Sequence, residues 1–230
     1  MKCGIVVFPG SNCDRDVAWV TEHLLGLPTR FIWHEETDLG ELDLVILPGG
    51  FSYGDYLRCG VLARFSPVMQ AVVRHAQQGK WVLGVCNGFQ ILTEVGLLPG
   101  TLMRNRELRF ICDTVPVRVE RHDLPWTCQY QVGQRLMLPI AHGEGCYYAD
   151  PDVLRELEQQ RQVVFRYLPP NPNGSLADIA GICNRQGNVL GMMPHPERAS
   201  DGDLGNTDGL GLFQGLVAWY AKNAMPNPCL

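Results

Sequence analysis

The stretch Trp81-Val82-Leu83-Gly84-Val85-Cys86-Asn87-Gly88-Phe89-Gln90-Ile91-Leu92 constrains the fold more than any other part of the chain. Trp81 to Val85 is an unbroken apolar run and reads as a buried strand. The chain turns at Cys86-Asn87-Gly88, and Phe89 to Leu92 opens an apolar helix. A cysteine at that junction sits beside the unpaired N–H groups and the positive end of the helix, which stabilise a sulfur anion. Glycines two residues before and two after it keep the turn tight. The competing reading is a buried structural thiol, the commoner fate of a free cysteine. A histidine partner elsewhere in the chain would decide between them.

Upstream the pattern alternates. Residues 3–8 read as a strand, and Gly10-Ser11-Asn12 as a turn. Asn12 or Asp14 then caps a helix running to about Leu25, which Gly26-Leu27-Pro28 stops. Residues 30–34 and 44–47 follow as strands, then 67–78 as a helix stopped by Gly79. This order predicts a parallel sheet with right-handed crossovers. After Gly100 the segments 111–120, 126–128, 135–141, 162–167, 178–184 and 188–193 are short and alternating, and predict antiparallel strands continuing or flanking the sheet. Helices are expected near 153–160 and 209–223. No repeat, low-complexity tract or linker divides the chain. Residues 1–230 are therefore expected to form one α/β domain, an open, mixed, mainly parallel sheet flanked by helices, with extra antiparallel strands in the C-terminal half.

A net charge of −5 argues against nucleic acid as a partner, because phosphate binding needs a basic face. No apolar run reaches the length of a membrane helix, and residues 1–10 read as a first strand rather than a signal peptide. A cytoplasmic protein is expected. The nine cysteines show neither Cys-x-x-Cys pairs nor metal-ligand histidine spacing, so neither a disulfide framework nor a metal site is expected.

Two further segments bear on Cys86. Pro48-Gly49-Gly50-Phe51-Ser52-Tyr53-Gly54-Asp55-Tyr56-Leu57-Arg58-Cys59-Gly60 is a glycine-rich loop at a strand's C-terminal end, the edge where open α/β sheets bind ligands. It lacks Gly-Lys-Ser/Thr, which excludes a P-loop. Backbone N–H groups at Gly49 and Gly50 could instead hold an oxyanion opposite Cys86. Of six histidines, His23 and His75 sit in helical stretches, His34 ends a strand and His122 lies in a charged turn. His142, in Ala141-His142-Gly143-Glu144-Gly145, follows a strand and is placed to line a ligand loop. His195 stands between Pro194 and Pro196, with Glu197 two residues on; in extended backbone the two side chains project to one side. A carboxylate beside an imidazole fixes its tautomer and supports the imidazolium.

Gly84-x-Cys86-x-Gly88-x-Gln90 with Pro194-His195-Pro196-Glu197 follows the strand–nucleophile–helix turn of hydrolases and resembles the class I, triad-type glutamine amidotransferases. Blocks at 10–14, 48–60, 84–90, 141–147, 171–184 and 191–198, which span essentially the whole chain, are similar to the glutaminase subunits of phosphoribosylformylglycinamidine synthases. The resemblance implies a flavodoxin-like fold and hydrolysis of L-glutamine to glutamate and ammonia through a cysteinyl thioester. Cys86 would be the nucleophile, His195 the base and Glu197 its orienter. Gly49, Gly50 and Asn87 would supply oxyanion donors, with Gln90 and the loop at His142 at the amino-acid end of the substrate. It further implies that the ammonia passes to a synthetase subunit using ATP and Mg, in a complex with a small accessory subunit, for de novo purine biosynthesis. No cofactor is expected in the chain itself, and low activity is expected until it docks. The 51–60 loop and the 101–110 stretch with Arg104, Arg106 and Arg109 are candidate docking elements. The alternatives are a glutaminase serving a different amidotransferase, a cysteine peptidase or redox chaperone of similar fold, and a non-catalytic scaffold.

Overall fold

Strands that are apolar on both faces need a layer of helices on each side. In the computed structural model, which describes residues 1–224, the chain provides them. In chain order the strands are β1 (Cys3–Val7), β2 (Thr29–Trp33), β3 (Leu44–Leu47), β4 (Trp81–Val85), β5 (Thr101–Met103), β6 (Ile111–Val119), β7 (Arg135–His142), β8 (Cys146–Tyr148), β9 (Val163–Tyr167), β10 (Ile179–Cys183) and β11 (Val189–Met192). The helices are α1 (Asp14–Ala18), α2 (Pro67–Gln77), α3 (Asn87–Glu94), α4 (Pro151–Gln159) and α5 (Leu210–Ala224). Nine strands form one sheet in the order β2-β1-β3-β4-β11-β10-β9-β6-β7, while β5 and β8 pair separately. The β1–β2, β1–β3, β3–β4 and β4–β11 pairs are parallel, and the rest of the sheet is antiparallel.

The expected mixed, mainly parallel sheet is present in the N-terminal half, with four corrections. β11 runs parallel to β4 rather than antiparallel, because the chain re-enters the sheet beside its N-terminal strands. Residues 126–128 form a turn, not a strand, in which buried Trp126 donates its indole N–H to the Gly187 carbonyl at 2.8 Å. The β5–β8 pair has no counterpart among the expected strands. Its strands are three residues each, too short for a periodic signal. The first helix is capped by neither Asn12 nor Asp14: Cys13 occupies the N-cap without a side-chain bond, and the α-helix gives way to a wider π-helical turn over Trp19–Leu24.

Helix α3 packs on β3, β4 and β11 at the centre of the sheet. The two glycines around Cys86 make that approach possible. A Cβ on Gly88 would lie 1.9 Å from the Leu47 carbonyl oxygen, and one on Gly84 would lie 2.6 Å from that of Gly88. Gly88→Ala should therefore push α3 off β3 and lower folding stability by about 1–3 kcal/mol, readable as a reduced urea midpoint. A wild-type midpoint would contradict this account of the turn.

Candidate active site

Position follows from register. β4 and β11 are parallel with Met192 opposite Val85, so both strands end at the same edge. Cys86 is the residue after β4, and its N–H donates to the Met192 carbonyl at 2.8 Å. Met193 and Pro194 then carry the chain to His195, whose N–H is fixed by the Pro139 carbonyl of β7 at 2.8 Å. Cys86 has φ 51° and ψ −106°, a positive-φ conformation that a side-chain-bearing residue adopts only when its surroundings enforce it. Its carbonyl accepts from the Phe89 and Gln90 N–H groups, which closes the first turn of α3.

His195 and Glu197 are both buried, at 1 % and 3 % exposure. The His195 Nδ1 to Glu197 Oε1 distance is 2.6 Å. The geometry differs from the expected extended pair: His195 is extended, but Glu197 lies in a 3₁₀ turn, Pro196–Ala199, and reaches back to the ring from there. Burial alone would push the imidazolium down. The Glu197 carboxylate and then the Cys86 sulfur outweigh it and hold His195 well above the ordinary histidine range. His195 Nε2 is buried without a hydrogen-bond partner.

A pocket of about 130 Å³ opens on these groups, lined by Cys86, His195, Gly50, Phe51, Cys13 and Arg198 among others. Gly50, at φ 148°, belongs to a bridge with Ser11 that anchors the glycine-rich loop over the pocket. Gly49 lies against the site itself: a Cβ there would be 2.7 Å from His195 Cε1 and 3.4 Å from Cys86 Cβ. Asn87 heads α3, so its N–H is one of the helix's unpaired donors. Its side chain is committed elsewhere, accepting from the Ser52 N–H at 3.2 Å and donating to Gln90 Oε1 at 2.8 Å.

Gln90 and His142 do not line this pocket. Gln90 is buried, and its amide donates to the Glu144 carbonyl at 2.6 Å. With Asn87 it ties the loop at Ser52 to the loop at Glu144. His142 ends β7, buried, with Nδ1 3.0 Å from Asn105 Oδ1. Burial, with His195 nearby, lowers its pKa to about 4, so the ring stays neutral. Asn105, wholly buried, also accepts from the Gly145 N–H and donates to the Arg109 and His142 carbonyls. The two positions thus brace the loops around the pocket.

Among the pocket-lining residues that sequence reasoning did not assign to the site, Cys13 and Arg198 are polar and interact with each other. The Arg198 guanidinium donates to Cys13 Sγ at 3.0 Å and to Asp16 Oδ2 at 3.0 Å. Cys13 lies far from Cys86 and His195 in sequence and in no recognisable spacing. Only its place in the Gly10–Asp14 block hinted at a role.

A cysteine held in a strained strand–helix turn, a buried imidazole–carboxylate pair beside it and a glycine loop overhead are the kinds of groups that acyl transfer requires. A family model described as a CobB/CobQ-like glutamine amidotransferase domain matches residues 1–208. A protein of Acaryochloris marina described as phosphoribosylformylglycinamidine synthase subunit PurQ is 68 % identical over 225 residues, covering 94 % of this chain and 96 % of that protein. A Gloeobacter violaceus protein of the same description is 65 % identical, covering 95 % and 97 %. Among solved structures, a chain of PurLQS from Thermotoga maritima superposes with a TM-score of 0.87 at 42 % identity, covering 95 % of this chain and 98 % of that one. A protein of Thermoplasma acidophilum described as part of a putative GMP synthase, at 15 % identity and TM-score 0.66, covers 97 % of this chain and 96 % of its own and shares the fold. The chain belongs to the CobB/CobQ-like glutamine amidotransferase family.

Proposed function

We propose that the chain is the glutaminase subunit of a phosphoribosylformylglycinamidine synthase, with residues 1–230 acting as one glutaminase domain. The observation that carries the chemistry is the positive-φ Cys86 in one small pocket with the buried His195–Glu197 pair. The Cys86 thiolate attacks the side-chain carboxamide of L-glutamine. The N–H groups of Gly50 and Asn87, with Gly49 leaving room for the loop to close on the site, receive the negative charge on oxygen. His195 protonates the departing ammonia, leaving a γ-glutamyl thioester, and then takes a proton from the water that releases glutamate. Glu197 keeps Nδ1 protonated, so that Nε2 does the proton transfer. Gln90 and His142 act through the loops they brace.

The ammonia goes to a synthetase subunit that uses ATP and Mg to amidate formylglycinamide ribonucleotide, with a small accessory subunit in the complex. The reaction belongs to the cytoplasm. In support, every cysteine among the described residues is free, and no helix among them is long and apolar enough to cross a membrane. A docking surface is available beside the pocket. Leu57, Leu108 and Phe110 are exposed large apolar residues, and a groove of about 650 Å³ next to them is lined by Arg58, Arg104 and Arg106. The loop on this face is conformationally loaded, with Tyr53, Asp55 and Leu57 all at positive φ.

The test is reconstitution. The isolated chain should release glutamate slowly, and adding the synthetase and accessory subunits with the nucleotide substrate and ATP should raise the rate by roughly an order of magnitude or more, a barrier change of about 1.4 kcal/mol per decade. Full glutaminase activity in the isolated chain would contradict the dependence on docking. Failure of the assembled complex to make amidine from glutamine would contradict the assignment.

A further inference from the structure

The rim of the pocket is made differently from its floor. Cys13, Cys86 and His195 are buried, whereas Phe51 and Phe110, which line the same pocket, are 43 % and 54 % exposed. The two rings are not scattered singly. Their centroids lie 6.4 Å apart at an interplanar angle of 32°, within the range of an attractive aromatic pair. They join segments distant in sequence, the glycine-rich loop after β3 and the turn that leads into β6. The two supports differ in firmness. The Phe51 N–H donates to the Gly10 carbonyl at 2.9 Å, its carbonyl accepts from the Gly54 N–H at 2.8 Å, and the next N–H, of Ser52, is held by Asn87. Phe110 follows a turn closed by the Leu108 N–H on the Asn105 carbonyl, with Leu108 at positive φ and 75 % exposed. A Cβ on Gly143 would still lie 3.8 Å from Phe110 Cδ2, so the ring has room on that side. The pocket behind the rings holds about 130 Å³, well under the roughly 300 Å³ at which ordinary small-molecule sites begin.

We propose that Phe51 and Phe110 form an aromatic gate that closes the pocket of the free subunit to solutes the size of an amino acid. Phe51 is the fixed post and Phe110 the moving leaf. The inhibitory effect of the gate rests on the glutaminase reading, whereas the gate itself does not. One aromatic contact between half-exposed rings is a weak latch, so an open minor state is populated in the free subunit. A weak latch suits a switch, because a partner needs little differential contact energy to hold it open. The partner is the subunit that docks on the apolar residues beside the pocket. Leu108 stands two residues from Phe110, so a partner group that grips Leu108 carries the turn and the Phe110 ring with it. Opening widens the rim and leaves the catalytic groups in place. Those are held from other elements, Cys86 by the Met192 carbonyl of β11 and His195 by the Pro139 carbonyl of β7.

The gate is read out by the reactivity of Cys86 towards iodoacetamide in the isolated full chain, whether or not any form of the chain hydrolyses glutamine. Alkylation is followed by mass spectrometry of the Cys86 and Cys128 peptides, Cys128 being a half-buried thiol outside the pocket. Phe110→Ala should speed modification of Cys86 by roughly 2- to 12-fold, the factor that one aromatic pair is worth. Cys128 should react at an unchanged rate. Phe51→Ala should act in the same way. The double variant should be no faster than the faster single one, because each substitution breaks the same contact. Phe110→Tyr, which keeps the ring, should behave like wild type. Isolated Phe110→Ala should also hydrolyse glutamine faster than isolated wild type, so that its gain on assembly shrinks. An unchanged Cys86 rate in both single variants, an acceleration shared by Cys128, or multiplied effects in the double variant would overturn the gate. Faster alkylation with no rise in isolated glutaminase, in a chain whose assembled complex is active, would overturn its inhibitory role.

Discussion

Cys86→Ala is expected to abolish glutamine hydrolysis in the assembled complex while leaving the fold intact. The thioester needs a nucleophilic atom at this position, and no other described side chain occupies the end of β4. Removing the nucleophile of a triad leaves only the acceleration contributed by oxyanion donors and binding, so a loss of roughly 10⁴-fold or more is expected. The substitution deletes one sulfur from a side chain that forms no strong bond, its hydrogen-bond contact being a long one to the Ala141 carbonyl at 3.7 Å. Stability should therefore change little, and the positive φ becomes no harder to hold for alanine than for cysteine. Ammonia supplied directly should still support amidine formation by the synthetase, because that step lies outside this subunit. Steady-state rates with glutamine and with an ammonium salt separate the two. Loss of both would mean that the variant fails to assemble, and retention of both would remove Cys86 from the chemistry.

Glu197→Gln is the second large effect. The amide is nearly isosteric, so packing in the 3₁₀ turn should persist, but it can present its N–H to Nδ1 and stabilise the wrong tautomer. For a triad carboxylate this costs roughly 10⁴ in kcat. The pH profile carries a further signature. Burial disfavours the His195 imidazolium, and Glu197 is the larger of the influences that raise it. Without the carboxylate the histidine loses its proton at lower pH. In the proposed mechanism the imidazolium protonates departing ammonia, so the alkaline limb of kcat against pH should move to lower pH, with KM for glutamine little altered. A packing defect alone would lower the amount of folded enzyme without moving that limb.

How much is legible in the sequence depends on how local each signal is. The turn at Cys86 is written in seven consecutive residues, because close packing of a helix on a strand leaves glycine as the only occupant of positions 84 and 88. His195 and Glu197 are legible for the same reason, although a 3₁₀ turn joins them where extended backbone is expected; proline on each side of His195 is compatible with both. The direction of β11 is not legible. Four apolar residues look alike in parallel and antiparallel pairs, and which neighbour they find is decided by the path of the chain through β6 to β10. Gln90 and His142 show the other limit. Both stand in the motifs as expected, but their side chains spend their hydrogen bonds on neighbouring loops, and only three-dimensional partners such as Asn105 and Glu144 reveal it. Cys13 could not be found by spacing, since its companions stand at the ends of strands distant in sequence.

The proximity of two thiols also sets the most direct test of the chemistry. The central claim is that Cys86, activated beside His195 and Glu197, carries the glutamyl group. The complex, turning over isotopically labelled glutamine, should be quenched with acid and digested, and the label located by mass spectrometry. One glutamyl unit, lost on treatment with hydroxylamine as a thioester is, is expected on the peptide containing Cys86. Label on the Cys13 peptide, or hydrolysis at full rate with no labelled peptide, would contradict the claim.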